Sequence, residues 1–225
     1  MYYCNINKRR SLLKIQNWKN DLMQILKDDI KERIIDVARK QFKQKGFIKA
    51  SMRDIAKEVN IGVGNIYNYF HNKDELFHCV VKPVTNILEK MLLKHHGENG
   101  LEVLYKNKEE NIQNMSNELF SFINGNKELL DILFFKAQGS SLENFSETFT
   151  DQATLIIKAW FIENKKRHPE INTNFSDFLI HIHTVWQFSL LRELVMHDIG
   201  EEEMKKVIQE YIVFETKGWK ELIGI

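Results

Sequence analysis

The chain has 225 residues, 43% hydrophobic and 28% charged, which is enough to bury a sizeable core in one large or two smaller domains. Cys4 and Cys79 are too few and too far apart for a disulfide framework or a zinc site, which fits a reducing compartment. The net charge of +1 conceals an asymmetry, because residues 1–82 hold 17 Lys and Arg against 9 Asp and Glu while the remainder nets −7, so a basic end suited to phosphates precedes an acidic body.

With two prolines in all and no recurring strand-like alternation, the pattern is helical throughout. Residues 1–28 place Ile15, Trp18, Leu22, Ile25 and Leu26 at helical spacing and predict an amphipathic helical extension. Its Lys8, Arg9, Arg10, Lys14 and Lys19 suit a basic arm on phosphates or in a minor groove. Packing on the protein itself or on a second copy is the plain alternative, and Met23 offers a second start point.

Residues 51–70, SMRDIAKEVNIGVGNIYNYF, predict two short helices joined by a tight turn. Ser51 is placed as N-cap with Asp54 completing a capping box, and Met52, Ile55, Ala56 and Val59 form one apolar stripe. Asn60 tolerates a left-handed conformation and ends the first helix. The second helix, over 63–70, buries Ile66 and Phe70 and turns Val63, Gly64, Asn65, Tyr67, Asn68 and Tyr69 outward or along its flanks. Exposed Tyr and Asn side chains donate to phosphates or base edges, so a helix-turn-helix accounts for the pattern, against an ordinary helical hairpin whose tyrosines merely pack. Gly62 to Gly64 lacks the preceding strand and the further glycine or lysine of a nucleotide-binding loop.

The run over 34–76, with AxxxF at Ala38 to Phe42, KGF at Lys45 to Phe47, the SMRDIAKEVNI turn and GNIYNYFHNKDEL, resembles the N-terminal domain of TetR-family transcriptional regulators. Where that family usually has glycine this chain has Asn60, and Gly62 and Val63 replace a frequent serine and lysine, so the departures bear on which operator is read. The resemblance implies that Ser51, Arg53, Tyr67 and Lys73 hold phosphates while Val63, Gly64, Asn65, Asn68 and Tyr69 approach base edges. Asparagines suit adenine edges and valine a thymine methyl, a hint of A·T-rich half-sites. Lys73 follows Asn72, the expected cap of the next helix, where an ammonium and a helix N-terminus both face an anion; a solvated surface lysine is the alternative.

Further helices are expected over 73–94, with Pro83 as a kink site, and over 101–123, 127–136, 142–164, 175–197 and 201–222, separated at Gly125, Gly139, Pro169 and Gly200. The expected fold is all-α: an N-terminal three-helix helix-turn-helix domain over 29–76, after the extension, and a larger helical ligand-binding and dimerisation domain over 77–225. The last two helices are apolar on wide surfaces. Phe178, Ile182, Val185, Val207, Ile208, Tyr211 and Ile212 are the candidate homodimer interface, paired with their copies across a two-fold axis as in the family; burial within one subunit is the alternative.

Phe120, Phe134, Phe135, Phe145, Trp160, Phe161, Trp186 and Phe188, with Gln138, His181, His183 and Gln187 as polar contacts, are candidates to line a pocket for a small apolar or aromatic effector, although aromatic side chains at helical spacing are more often core. His181 and His183 are two apart, on nearly opposite sides of a helix, so they do not share a metal. No catalytic residue, metal site or cofactor is expected, since no nucleophile sits in a recognisable motif. Without an apolar run of ~18 residues or a signal-peptide pattern the chain is expected to be cytoplasmic, with no membrane partner. The function these readings imply is a ligand-responsive repressor on a pseudo-palindromic double-stranded DNA operator, with a small-molecule sequestering protein as the competing class.

Overall fold

The structure is a computed structural model and describes residues 2–98, 100–101 and 109–225, with side chains from Gln24 onward. The basic side chains expected to form an arm, Lys8 to Lys19, lie outside the described ones. Among the described residues the fold is all-α, with helices α1 (Tyr2–Lys49), α2 (Met52–Val59), α3 (Val63–Ile66), α4 (Lys73–His95), α5 (Glu109–Phe135), α6 (Phe145–Arg167), α7 (Asp177–Met196) and α8 (Glu201–Ile223). The extension is no separate helix, because α1 runs unbroken from it to Lys45, where Gly46 (φ 71°, ψ 169°) interrupts the helical geometry.

The chain divides into two compact units, one ending at Val80 and lacking 46–48, the other formed by Gly46–Ile48 and Val81–Ile225. In the first, Ile34, Ala38 and Phe42 recur every fourth residue on α1 and meet Met52, Ile55, Ala56 and Val59 of α2, Ile66, Phe70, and Leu76, Phe77 and Val80 of α4, all buried. The Phe42 and Phe77 rings meet edge to face at 5.0 Å. Each fully buried large side chain contributes roughly 1.5–3 kcal/mol, so this small unit rests on about a dozen such residues rather than on its short helices.

In the second unit α5 is central and packs on α6, α7 and α8, while α6 lies against α7. Two aromatic clusters fill it. Phe134, Phe145 and Phe149 surround Phe188 at 5.3–6.3 Å, and Phe161 meets Trp160, Phe175 and Trp219 at 4.9–5.6 Å.

The expected boundaries need two corrections. Gly125 does not break a helix, since α5 passes straight through it; a lone glycine costs only about 1 kcal/mol relative to alanine, and buried Phe122, Ile123 and Leu130 on either side outweigh that. The helix expected over 73–94 is present as α4, with Pro83 inside it as expected. The second correction concerns the second helix of the candidate DNA-reading motif, which ends at Ile66 rather than at Phe70. Beyond it the backbone tightens, with Asn68 and Tyr69 donating to carbonyls three residues back.

Candidate nucleic-acid interface and internal cavity

The turn between α2 and α3 is built from a few local bonds. The Ser51 hydroxyl accepts from the Arg53 N–H at 3.2 Å and starts α2, while Asp54 in the first turn faces Lys45 at 3.7 Å. Asn60 ends α2 at φ 62°, ψ 45°, and the Asn60 and Ile61 N–H groups donate back to Lys57 and Ala56, a Schellman pair. The Arg33 guanidinium reaches the Val59 carbonyl at 2.9 Å and satisfies another group at that helix end.

These bonds fix α3 with Ile66 inward and its other side chains out. Val63, Gly64, Asn65, Tyr67 and Asn68 are exposed and Tyr69 is half-buried. Tyr67 keeps 47% of its surface in solvent. A Cβ built on Gly64 would meet nothing within 4 Å, so the backbone there is open to close approach. The Asn68 amide donates to the Asn65 side-chain oxygen at 3.0 Å, which orients both as one polar edge. Arg53 is exposed beside this edge, and Arg53 and Lys57 border a hollow with Asn60 to Val63.

Lys73 departs from the expectation of an outward ammonium. Its Nζ donates to the Ala50 carbonyl at 3.0 Å and is half-buried, and desolvation lowers its pKa. It therefore ties the start of α4 to the loop before α2. Asn72 caps α4 by accepting from the Glu75 N–H at 2.7 Å, and Glu75 accepts from the His71 N–H, which holds its carboxyl below the usual range.

The second unit encloses a cavity of about 720 Å³ lined by residues of α4 to α8 and of the turn after α4. Apolar walls come from Leu88, Phe122, Ile157, Phe161, Leu191 and Ile212. Polar groups in the lining include His96 and Glu118, and His183, Tyr211, Glu215 and Trp219 adjoin one another. The His96 Nδ1–H donates to the Leu92 carbonyl at 3.0 Å, and burial lowers its pKa to about 4, so the ring is neutral near pH 7. Burial and the adjacent Glu215 charge raise the Tyr211 pKa far above the usual phenol range, so its hydroxyl stays protonated.

Of the expected pocket residues, Trp160, Phe161, Phe188 and Gln187 line this cavity, as does His183. Phe120, Phe134, Phe135, Phe145, Gln138, His181 and Trp186 do not. Phe134 packs on Phe135 and Phe188, Phe120 lies under the Lys205 ammonium, and Gln138 is exposed. His181 stacks on Phe178 and approaches Asp151 at 3.6 Å. Glu215 and Trp219 went unnoticed in the sequence, although Tyr211, Glu215 and Trp219 recur every fourth residue and set one carboxylate into an otherwise apolar and aromatic stripe.

The candidate interface residues divide by helical phase. On α7, Phe178 (66% exposed), Ile182, Val185 (40%) and Trp186 (51%) share the outer face, while Ile180, Thr184, Phe188 and Leu191 face inward. On α8, Ile208 and Ile212 are buried within their own chain, Tyr211 lines the cavity, and Val207 is half-buried. Ile208 and Ile212 are thus spent in the subunit's own core, where α8 packs on α5.

Comparison with known proteins places this geometry. Residues 34–80 match the family described as bacterial regulatory proteins, tetR family. The chain is 33% identical over 78 residues to the biofilm operon icaADBC HTH-type negative transcriptional regulator IcaR of Staphylococcus epidermidis, a stretch covering 34% of this chain and 42% of that one. It is 30% identical over 125 residues to an uncharacterized HTH-type transcriptional regulator of Haemophilus influenzae, covering 56% and 62%. The chain thus spans less than two thirds of the length of these curated relatives.

Solved structures extend the likeness in fold across most of the chain. A putative TetR-family regulator from Syntrophomonas wolfei matches with a TM-score of 0.60 at 17% identity, covering 84% of this chain and 96% of that one. The regulator FadR from Bacillus subtilis, solved in complex with stearoyl-CoA, matches at 0.52 and 18%, covering 81% and 97%. The helix-turn-helix sequence, the geometry it adopts and the relatives that share it agree: residues 34–80 form a domain of the tetR family of bacterial regulatory proteins.

Proposed function

We propose that this protein is a homodimeric, sequence-specific DNA-binding regulator that represses transcription and leaves its pseudo-palindromic operator when a small molecule with an apolar or aromatic body fills the cavity. The observation that carries the reading is the exposed edge of Val63, Gly64, Asn65, Tyr67 and Asn68, held on a rigid turn by the buried Ile66 and the left-handed Asn60. Such an edge enters a major groove, with Ser51, Arg53, Tyr67 and Lys73 on flanking phosphates and Tyr69 at its margin. Ser51 and Lys73 serve this role through position as well as contact, since both also fix the loop before α2.

Dimerisation through the outer face of α7, with Phe178, Ile182, Val185 and Trp186, supplies a second reading head about 34–36 Å away, one turn of DNA. Among the described residues no helix is long and apolar enough to cross a membrane, and a DNA-binding regulator of this kind works in the cytoplasm and not as an enzyme. The effector acts only to the extent that it binds the DNA-competent and DNA-incompetent states differently.

The test is binding to the DNA upstream of the protein's own gene at two salt concentrations, with Asn65→Ala and Tyr67→Ala as controls. Salt-sensitive binding to a palindrome that both substitutions weaken at least tenfold is expected. Affinity no greater than for random DNA, at every salt concentration, overturns the reading.

A further inference from the structure

Resting on the reading of the cavity as an effector site, we propose that its occupant is an organic cation, an aromatic or aliphatic body whose single positive charge seats against Glu215. The charge inventory of the lining separates cation from anion. Glu215 is a cavity carboxylate with only 11% of its side chain exposed, and among the described residues its ion-pair partner is His183 rather than a lysine or arginine. His183 cannot satisfy it unconditionally. The same Nε2 that lies against the Glu215 carboxylate is also 3.0 Å from the Trp219 indole nitrogen. One ring nitrogen either donates to the carboxylate or accepts the indole N–H. When it accepts from Trp219, Glu215 keeps only the adjacent Tyr211 hydroxyl, a neutral donor that leaves the buried carboxylate's charge uncompensated.

Neutral donors such as Gln187 and the Tyr211 hydroxyl line the cavity, but its cationic and imidazole groups are committed elsewhere. The Lys94 ammonium is taken up by Glu118, donating to both carboxylate oxygens at 2.8 Å. His96 gives its Nδ1–H to the Leu92 carbonyl and is neutral, which leaves its other nitrogen as an acceptor. Trp160 donates its N–H to the Gly97 carbonyl and so presents ring surface rather than a donor. A carboxylate or phosphate ligand would meet Glu215 and Glu118 with no uncommitted cation among the described lining residues. A cation instead finds Glu215 and the faces of Trp219, Trp160 and Phe161, and a cation over an aromatic face gains most when desolvated. The apolar remainder of the cavity accommodates a bulky body, because about 720 Å³ is far more than an ammonium needs.

Two probes isolate the charge, since tetraphenylphosphonium and tetraphenylborate share one four-phenyl shape with opposite sign. Triphenylphosphine oxide serves as a neutral reference. Binding to the full chain is followed by calorimetry and by quenching of indole fluorescence, for the unmodified protein and for Glu215→Gln and Glu215→Asp. Expected is phosphonium binding at least tenfold tighter than borate, a preference lost in Glu215→Gln and kept in Glu215→Asp. Equal binding of all three probes to the unmodified protein, or tighter borate, overturns the cation inference while leaving the effector cavity standing. A preference that persists in a folded Glu215→Gln overturns the assignment to this carboxylate. Failure of every probe to bind overturns both the inference and the cavity reading on which it rests. The comparison within the unmodified protein decides the sign even where a variant does not fold.

Discussion

His96 shows how much a single side chain carries. Its ring is buried beside Trp160, 5.4 Å centroid to centroid and edge to face, and burial holds its pKa at about 4 against 6.5 for a free imidazole. The unfolded chain therefore takes up a proton as pH falls through 6.5, while the folded chain does not until about pH 4. Between those values the unfolded state binds more protons, so stability declines with falling pH and the His96 share levels off near pH 4. The displacement corresponds to up to about 3 kcal/mol. Urea midpoints at pH 7 and pH 4.5 should fall less in His96→Gln than in the unmodified protein; parallel declines would remove His96 from the account. Asn60 is a second such residue, one whose left-handed conformation the sequence foretold because few other side chains accept it.

At the scale of the helix, Gly125 sits exposed in the interior of α5, and a Cβ added there meets nothing within 4 Å. Its role is therefore neither packing nor a turn. Gly125→Ala should raise stability by about 0.5–1 kcal/mol, or roughly 1–4 °C in melting temperature for a chain of this size, read by thermal denaturation. A lowered melting temperature would mean that the glycine serves a bend or contact absent from this conformation. The same residue shows where the sequence stopped being legible. A lone glycine reads as punctuation, yet the neighbouring Phe122, Ile123 and Leu130 decide the outcome through long-range packing that no local window contains. The reading motif was legible because its determinants are local: the Ser51 cap, the Asn60 turn and the inward Ile66 are each within a few residues of what they organise. The length of α3 was not, since 63–70 carries an unbroken helical pattern and only the backbone reveals the tightening after Ile66. In the cavity, aromatic residues were easy to list but hard to sort. Trp186 and Gln187 are neighbours in sequence, and the phase of α7 alone sends one to solvent and the other to the lining.

For the molecule as a whole, the proposed function makes the outer face of α7 the link between assembly and DNA reading. Phe178, Val185 and Trp186 leave a large apolar surface in water, and monomeric proteins rarely maintain such a stripe on one helix. A charge at its centre should be tolerated by the fold, because Val185 contributes little to the subunit's own core, but it should oppose a second copy of the same surface, which meets it about a two-fold axis and so brings two like charges together. Val185→Glu is accordingly expected to shift the protein from dimer to monomer in sedimentation with little change in helical content. The same variant separates two sources of DNA affinity. Phosphate attraction arises from the basic N-terminal region and survives in a monomer, whereas simultaneous capture of two half-sites does not. Val185→Glu should then keep weak, salt-sensitive binding to random DNA while losing at least a hundredfold in affinity for a palindrome, since the second half-site no longer benefits from a tethered partner. A variant that remains dimeric would move the interface elsewhere, and a monomer that binds the palindrome undiminished would show that one reading head suffices.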